Sequence, residues 1–310
     1  MRRVWIVALG LFAAVSLFAE PITLLETGSA GSALRFIDSS NPSVSLGFVT
    51  ITGLQPGEII AGIDYRPSNG LLYGIGAIDP ATGRLYQVNT TTGVATQIGA
   101  PFSLNAIRVN GMDFNPVVDL LRVITNTSQN VRINPNTGAV TPDTFVSYAP
   151  GDPNAGSGNT PWGLGYSNNF AGATQTTLYG ITYGFNQMIL VTVGSVNGTP
   201  VSPNSGLMFT VGGTGVNNAS NDFTGLDVSS TGIAYALMNS PVRLYTINLT
   251  NGALTLVGNF PATTFGSYRD LAVGGAVLSA GTPTAPALSP AMLVLLALAL
   301  GAAALFVMKR

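Results

Sequence analysis

Two consecutive stretches decide the reading: Gly62-Ile-Asp-Tyr-Arg-Pro-Ser-Asn-Gly-Leu-Leu-Tyr-Gly-Ile-Gly76, then Arg84-Leu-Tyr-Gln-Val-Asn-Thr-Thr-Thr-Gly-Val-Ala-Thr-Gln-Ile-Gly99. Each is an apolar run, a turn rich in Asn, Gly, Pro or Thr, and a second apolar run, which is the pattern of a β-hairpin. Together they predict one four-stranded sheet. The unit recurs. Its first strand reappears as Gly111-Met-Asp-Phe, Gly163-Leu-Gly-Tyr and Gly225-Leu-Asp-Val, and its third as Asn130-Val-Arg-Ile-Asn, Met188-Ile-Leu-Val-Thr and Arg243-Leu-Tyr-Thr-Ile-Asn.

Gly62, Gly111, Gly163 and Gly225 stand 49, 52 and 62 residues apart, and a further first strand lies near Asp270. Four strands per unit at this period predict propeller blades. Four units are complete between Gly62 and Phe260. The fifth is split between the Asp270 strand and residues 22–54, so pairing the two ends leaves no open sheet edge at the seam. The expectation is an all-β, five-bladed β-propeller closed by its N- and C-terminal strands. A β-sandwich or open solenoid is the competing architecture, and it leaves a half-unit unpaired at each end.

The flanks predict export. Arg2 and Arg3 precede an apolar run over Val4–Val15, and Ser16-Leu-Phe-Ala19 offers a small residue for cleavage, so residues 1–19 read as a signal peptide. The propeller domain then covers 20–275. Residues 276–290 form a Pro/Ala/Thr linker, and residues 291–308 form an uncharged helix just long enough to span a bilayer, followed by Lys309 and Arg310.

Composition narrows the chemistry. The 310 residues include no Cys and no His, which removes thiolate chemistry, the commonest general base and the commonest transition-metal ligand. No Gly-x-Ser-x-Gly elbow is present, and Gly212-Gly-Thr-Gly215 lacks the Lys of a phosphate cradle. Between Glu20 and Pro290 there are 8 Arg, no Lys and 13 acidic residues, which argues against nucleic acid as a partner.

The sharpest polar feature is an Asp repeated in a strand, where Asp is disfavoured: Asp64, Asp113 and Asp227, with Asp270 taken as equivalent. Innermost strands line a propeller's channel. A ring of these carboxylates would hold a hard cation such as Ca²⁺. The alternative is that each accepts backbone N–H groups of its own or the next blade, and Gly165, in place of an Asp in the third unit, favours that role. Glu26 and Glu58 are expected at the surface or in turns. The leucine-flanked tyrosines are expected between blades.

Binding surfaces are expected where the repeat breaks, in long loops on a rigid scaffold. These are the Asp152–Trp162 loop with Asp152, Asn159 and Trp162, the Gly194–Gly215 insertion with Asn204, and the loop bearing Asn217 and Asp222.

The motifs Thr52-Gly-Leu-Gln-Pro-Gly-Glu, Gly62-Ile-Asp-Tyr-Arg-Pro, Asp113-Phe-Asn-Pro-Val-Val-Asp and Asn130-Val-Arg-Ile-Asn-Pro-Asn-Thr-Gly resemble a bacterial secreted family, domain of unknown function 4394, over most of residues 22–275. The resemblance implies a propeller-like fold outside the cytoplasm and carries no catalytic residue. The tail is similar to bacterial C-terminal sorting signals, although Ala287-Leu-Ser-Pro290 departs from their usual wording. The resulting expectation is an exported, surface-anchored binding or scaffold module for a protein or glycan. An extracytoplasmic hydrolase or lyase using acidic residues or bound Ca²⁺ is one alternative, and a structural component of a surface layer is the other.

Overall fold

A computed structural model describes residues 19–78, 82–104, 108–185, 187–216 and 223–275. Residues 1–18 of the expected leader, the linker, the apolar tail and the loop bearing Asn217 and Asp222 lie outside them. The first three strands are β1 (Pro21–Gly28), β2 (Gly31–Asp38) and β3 (Gly47–Thr50). Next come β4 (Ile59–Tyr65), β5 (Leu72–Ile78), β6 (Thr82–Val88) and β7 (Ala95–Ser103), then β8 (Val109–Asn115), β9 (Leu120–Thr125), β10 (Asn130–Ile133) and β11 (Val140–Pro142). A five-stranded set follows: β12 (Ser147–Tyr148), β13 (Trp162–Tyr166), β14 (Leu178–Tyr183), β15 (Met188–Val193) and β16 (Leu207–Gly213). The last are β17 (Phe223–Val228), β18 (Ala234–Asn239), β19 (Val242–Ile247), β20 (Leu254–Asn259) and β21 (Ser267–Val273).

These strands build five sheets, the blades of a five-bladed β-propeller. Blade I has the order β21-β1-β2-β3, and blade II is β4 to β7, blade III β8 to β11 and blade V β17 to β20. Strand β21 pairs antiparallel with β1 through six residue pairs, from Ile22 opposite Val273 to Thr27 opposite Ser267. In blade IV, β12 runs parallel to β16 and adds a fifth strand to the outer edge. The expected Gly194–Gly215 insertion is therefore half blade: its second part is β16, the partner of β15.

The turns follow from side-chain chemistry. Asn89, Asn134 and Asn248 each cap their own turn, the Oδ1 atoms accepting from Thr91, Asn136 and Thr250 N–H groups at 2.9 Å. Four residues after each Asn stands a glycine at φ between 72° and 82°, and its N–H returns to the Asn carbonyl. These glycines meet the preceding blade. A Cβ on Gly93 would lie 2.0 Å from the Thr50 carbonyl oxygen, and one on Gly138 2.6 Å from that of Ile98.

Strands β4, β8, β13, β17 and β21 are the innermost, each packed on the next around the axis. Each carries a bulge near its start, at Ala61, Asn110, Gly163, Thr224 and Arg269. Apolar faces fill the seams between blades. Tyr73 meets Phe114 edge-on, with ring centroids 5.1 Å apart, and Tyr86, Tyr179 and Tyr245 are buried, as expected of the leucine-flanked tyrosines. Glu26 and Glu58 depart from expectation. Both are buried, Glu26 paired with Arg35, and Glu58 with Arg84 while accepting from Tyr86. The low-dielectric interior demands such partners, and residue type alone does not reveal them. Among the described residues no helix is long and apolar enough to cross a membrane.

Candidate functional site: the polar axis

The repeated carboxylates stitch one blade to the next. Asp64 of β4 accepts the Phe114 N–H of β8 at 2.7 Å. Asp113 of β8 accepts the Tyr166 N–H of β13 at 3.1 Å. Asp227 of β17 accepts the Val273 N–H of β21 at 2.6 Å, and Asp270 of β21 accepts the Ile63 N–H of β4 at 3.0 Å. These are the cross-blade backbone contacts expected of the repeat. Blade IV, with Gly165, contributes no carboxylate.

The bulges correct one equivalence. Asp64, Asp113 and Asp227 each stand two residues beyond the glycine that follows the bulge. In β21 the residue after the bulge is Asp270 itself, and two further on is Ala272. Asp270 thus occupies the glycine position of the repeat. At Gly62 and Gly225 an added Cβ would press on the Asp270 carboxylate, at 3.1 and 2.8 Å. Small residues on both neighbouring blades leave the space that this side chain fills.

Among the described residues, three carboxylates therefore converge. One oxygen from each of Asp64, Asp113 and Asp227 lies within 4.8 Å of the others. Asp64 and Asp113 are 1% exposed and Asp227 2%. Asp64 Oδ1 and Asp113 Oδ2 find no hydrogen-bond donor, whereas both oxygens of Asp227 and of Asp270 accept backbone N–H groups. Burial is the main force on all four, pushing Asp64, Asp113 and Asp270 well above the usual carboxylate range and Asp227 up to about 7. Mutual repulsion adds to this, most for Asp64 from Asp227 and for Asp113 from Asp64.

The axis has two unlike ends. Where the inner strands finish, a cavity of about 130 Å³ is lined by Glu20, Tyr65, Arg66, Asn169, Ser229 and Gly275, among others. It touches the carboxylates through Asn169, whose Nδ2 lies 3.5 Å from Asp227 and whose Oδ1 is unpartnered. Arg66 is held by Asp119 and Asn136, and Glu20 accepts from Thr231.

At the other end, where the inner strands begin, the charges are positive. Arg108 lies over the Trp162 ring, 4.5 Å from its centroid. Arg269, at the bulge, reaches the Ala61 and Val109 carbonyls at 3.4 Å. Neither arginine has an ion pair among those formed by the described residues, which engage Arg35, Arg66, Arg84, Arg122 and Arg132. Burial lowers the Arg108 guanidinium, and burial together with Arg108 lowers Arg269 to about 10. Arg108, Arg269, Asn169 and Glu20 are not singled out by the repeat. The one available signal was Arg269 beside Asp270 in a strand, where the bulge lets both neighbours reach β4.

The loop residues take separate roles. Asp152 is a staple, accepting from the Asn154 and Thr210 backbone and the Thr210 hydroxyl at 2.7–2.8 Å. Asn159 donates to the Tyr183 carbonyl at 2.8 Å, and Trp162 opens β13 beneath Arg108. Asn204 accepts from Arg122 at 2.6 Å and fixes the insertion to blade III. The Asp152–Trp162 loop feeds an inner strand and lies at the arginine end. Residues 194–206 join β15 to β16 at the opposite end, so the long loops do not share one face. Asn217 and Asp222 lie outside the described residues.

A family model described as Domain of unknown function (DUF4394) matches residues 33–272. No curated protein matches the sequence. Among solved structures, the chain is similar to a chain of a nidogen/laminin complex, at 9% identity and a TM-score of 0.45, covering 83% of this chain and 98% of the other. It is also similar to a PQQ-bound aldose sugar dehydrogenase from Streptomyces coelicolor, at 15% identity and a TM-score of 0.42, covering 81% of each chain. A structural genomics protein of unknown function from Bacteroides thetaiotaomicron has 15% identity and a TM-score of 0.49, over 82% of this chain and 62% of the other.

Proposed function

The chain belongs to the DUF4394 family, and for it we propose an exported, surface-anchored propeller that binds acidic glycans at the arginine end of its axis. The observation that carries this reading is the pair Arg108 and Arg269, two guanidiniums that form no ion pair among the described residues, set beside Trp162 and the Asp152–Trp162 loop. Among the other arginines of the described residues, Arg35, Arg66, Arg84, Arg122 and Arg132 are paired with carboxylates, whereas half-buried Arg243 forms no ion pair there. Two unpaired cations beside one another repel, and an anionic ligand relieves that repulsion. Trp162 adds an apolar ring edge beside the charge, a common partner for a sugar ring.

Export by residues 1–19, anchoring by residues 291–308 and a place at the cell surface complete the proposal. Binding is favoured over hydrolysis by burial, because the carboxylates that would act as acid and base are 1–5% exposed. A glycan array probed with the full-length chain tests it. Uronate-containing or sulfated glycans should be retained, with binding that weakens as salt rises, and Arg108→Ala should abolish retention. Equal retention of neutral glycans, or full retention by Arg108→Ala, would overturn the reading.

A further inference from the structure

We propose that Asp64, Asp113 and Asp227 hold one hard divalent cation, of the Ca²⁺ class, on the propeller axis. The inference is independent of the glycan reading and rests on three observations. First, three carboxylates from three different blades bring one oxygen each to within 4.8 Å of the others. Ca²⁺ takes oxygens at about 2.3–2.6 Å, so two ligands on opposite sides of it stand up to roughly 5.2 Å apart. The spacing suits such an ion without moving a strand.

Second, the oxygens are divided between two tasks. Asp64 Oδ2 and Asp113 Oδ1 are spent on the backbone of the next blade, which fixes the side chains. The opposite oxygens, Asp64 Oδ1 and Asp113 Oδ2, are buried and without a donor. An unmatched carboxylate oxygen in the interior is costly, and a cation satisfies it. Asp227 and Asp270 each have both oxygens capped by backbone N–H groups, so Asp227 would reach the ion through a second lone pair, while Asp270 stays outside the cluster.

Third, a cavity lies beside the cluster. It is lined at the end of the inner strands by Asn169, which is 8% exposed, carries an unpartnered Oδ1 and brings its Nδ2 to 3.5 Å from Asp227. Ca²⁺ normally takes six to eight oxygens, so waters entering there would complete a shell that three carboxylates begin. Arg269, on the opposite side of the hub, is held by the Ala61 and Val109 carbonyls and does not compete for the free oxygens.

The test uses the full-length chain, stripped with chelator and then titrated separately with Ca²⁺, Mg²⁺ and Mn²⁺. Bound metal is counted by elemental analysis and stability is read by thermal melting. The expected result is one Ca²⁺ per chain and a saturable rise in Tm, about 5–10 °C at a hundredfold excess over Kd. Asp64→Asn and Asp113→Asn should each remove that rise, while Asp152→Asn, in the loop, keeps it. Wild-type protein that retains none of the three cations and melts at the same temperature with each of them and with chelator would overturn the proposal, as would an unaltered Ca²⁺ response in both hub variants. The wild-type titration decides the matter even where a variant fails to fold.

Discussion

Two regions bury charge equally deeply and compensate it in opposite ways. At the seam of blades III and IV, Arg122 is 2% exposed and all its nitrogens are used. Its donors reach Tyr166 at 2.8 Å, Asn130 at 2.5 Å, Asp143 at 3.0 Å and Asn204 at 2.6 Å, and Asp143 is shared with Arg132. At the hub, Asp64 and Asp113 are as deeply buried but face like charges, with only backbone N–H groups for compensation. The seam is a completed network and holds structure. The hub leaves two oxygens over, and a group left over in the interior is the kind of imbalance that a ligand corrects.

The sharpest way to break this contrast is Arg122→Ala. It strips four acceptors at once and should cost about 3–5 kcal/mol, read as a lower urea midpoint. Gly163→Ala comes next. Gly163 sits at φ 75°, and its added Cβ would lie 2.5 Å from the Leu226 nitrogen of the next blade. Strain and clash together predict a loss of about 2–3 kcal/mol by the same measurement.

The hub should respond by chemistry more than by size. In chelator, Asp113→Ala orphans the Tyr166 N–H and should cost about 1–3 kcal/mol. Asp113→Asn keeps an acceptor and removes a repelling charge, so it should fall within about 1 kcal/mol of wild type. An Asn variant as damaging as the Ala variant would show that the charge itself, not the hydrogen bond, ties blade III to blade IV.

The smallest effect belongs to the rim. Asp119 lies below its ordinary range chiefly because Arg66 donates to it. A depressed carboxyl contributes its stability above the unfolded value, near 3.8, and loses it as pH falls through the folded value. Asp119 is over a third exposed, so solvent screening limits the loss to a few tenths of a kcal/mol. Comparing wild type with Asp119→Asn in acid melts checks this: the difference between them should shrink as pH falls below about 3.8.

Much of the architecture was written locally. The Gly62, Gly111, Gly163 and Gly225 strands and the Asn-capped turns each depend on one short stretch, so their period is visible along the chain. What was not visible depends on register. The β21 bulge falls at Arg269, directly before Asp270, so Asp270, expected as the counterpart of Asp64, occupies a glycine site two residues short of that position. The repeat does mark Asp64, Asp113 and Asp227, but not which oxygen of each is spent on backbone. Arg108 and Trp162 are 54 positions apart and belong to different blades. No periodicity connects them. Asp152 stood out as a polar loop residue, yet its partner Thr210 arrives from an outer strand and absorbs it.

The pairing of β21 with β1 has a mechanical side. Val273 and Gly275 leave the ring beside Glu20, at the cavity end, while Arg108 and Arg269 lie where the inner strands begin. A pull applied through the residues after Gly275, with a load held at the arginine end, runs lengthwise along β21. It therefore shears the six β1–β21 rungs together instead of opening them one at a time. Two hooks lie in the same line of force, Asp227 on the Val273 N–H and Asp270 on the Ile63 N–H, so tension on β21 is shared with blades V and II.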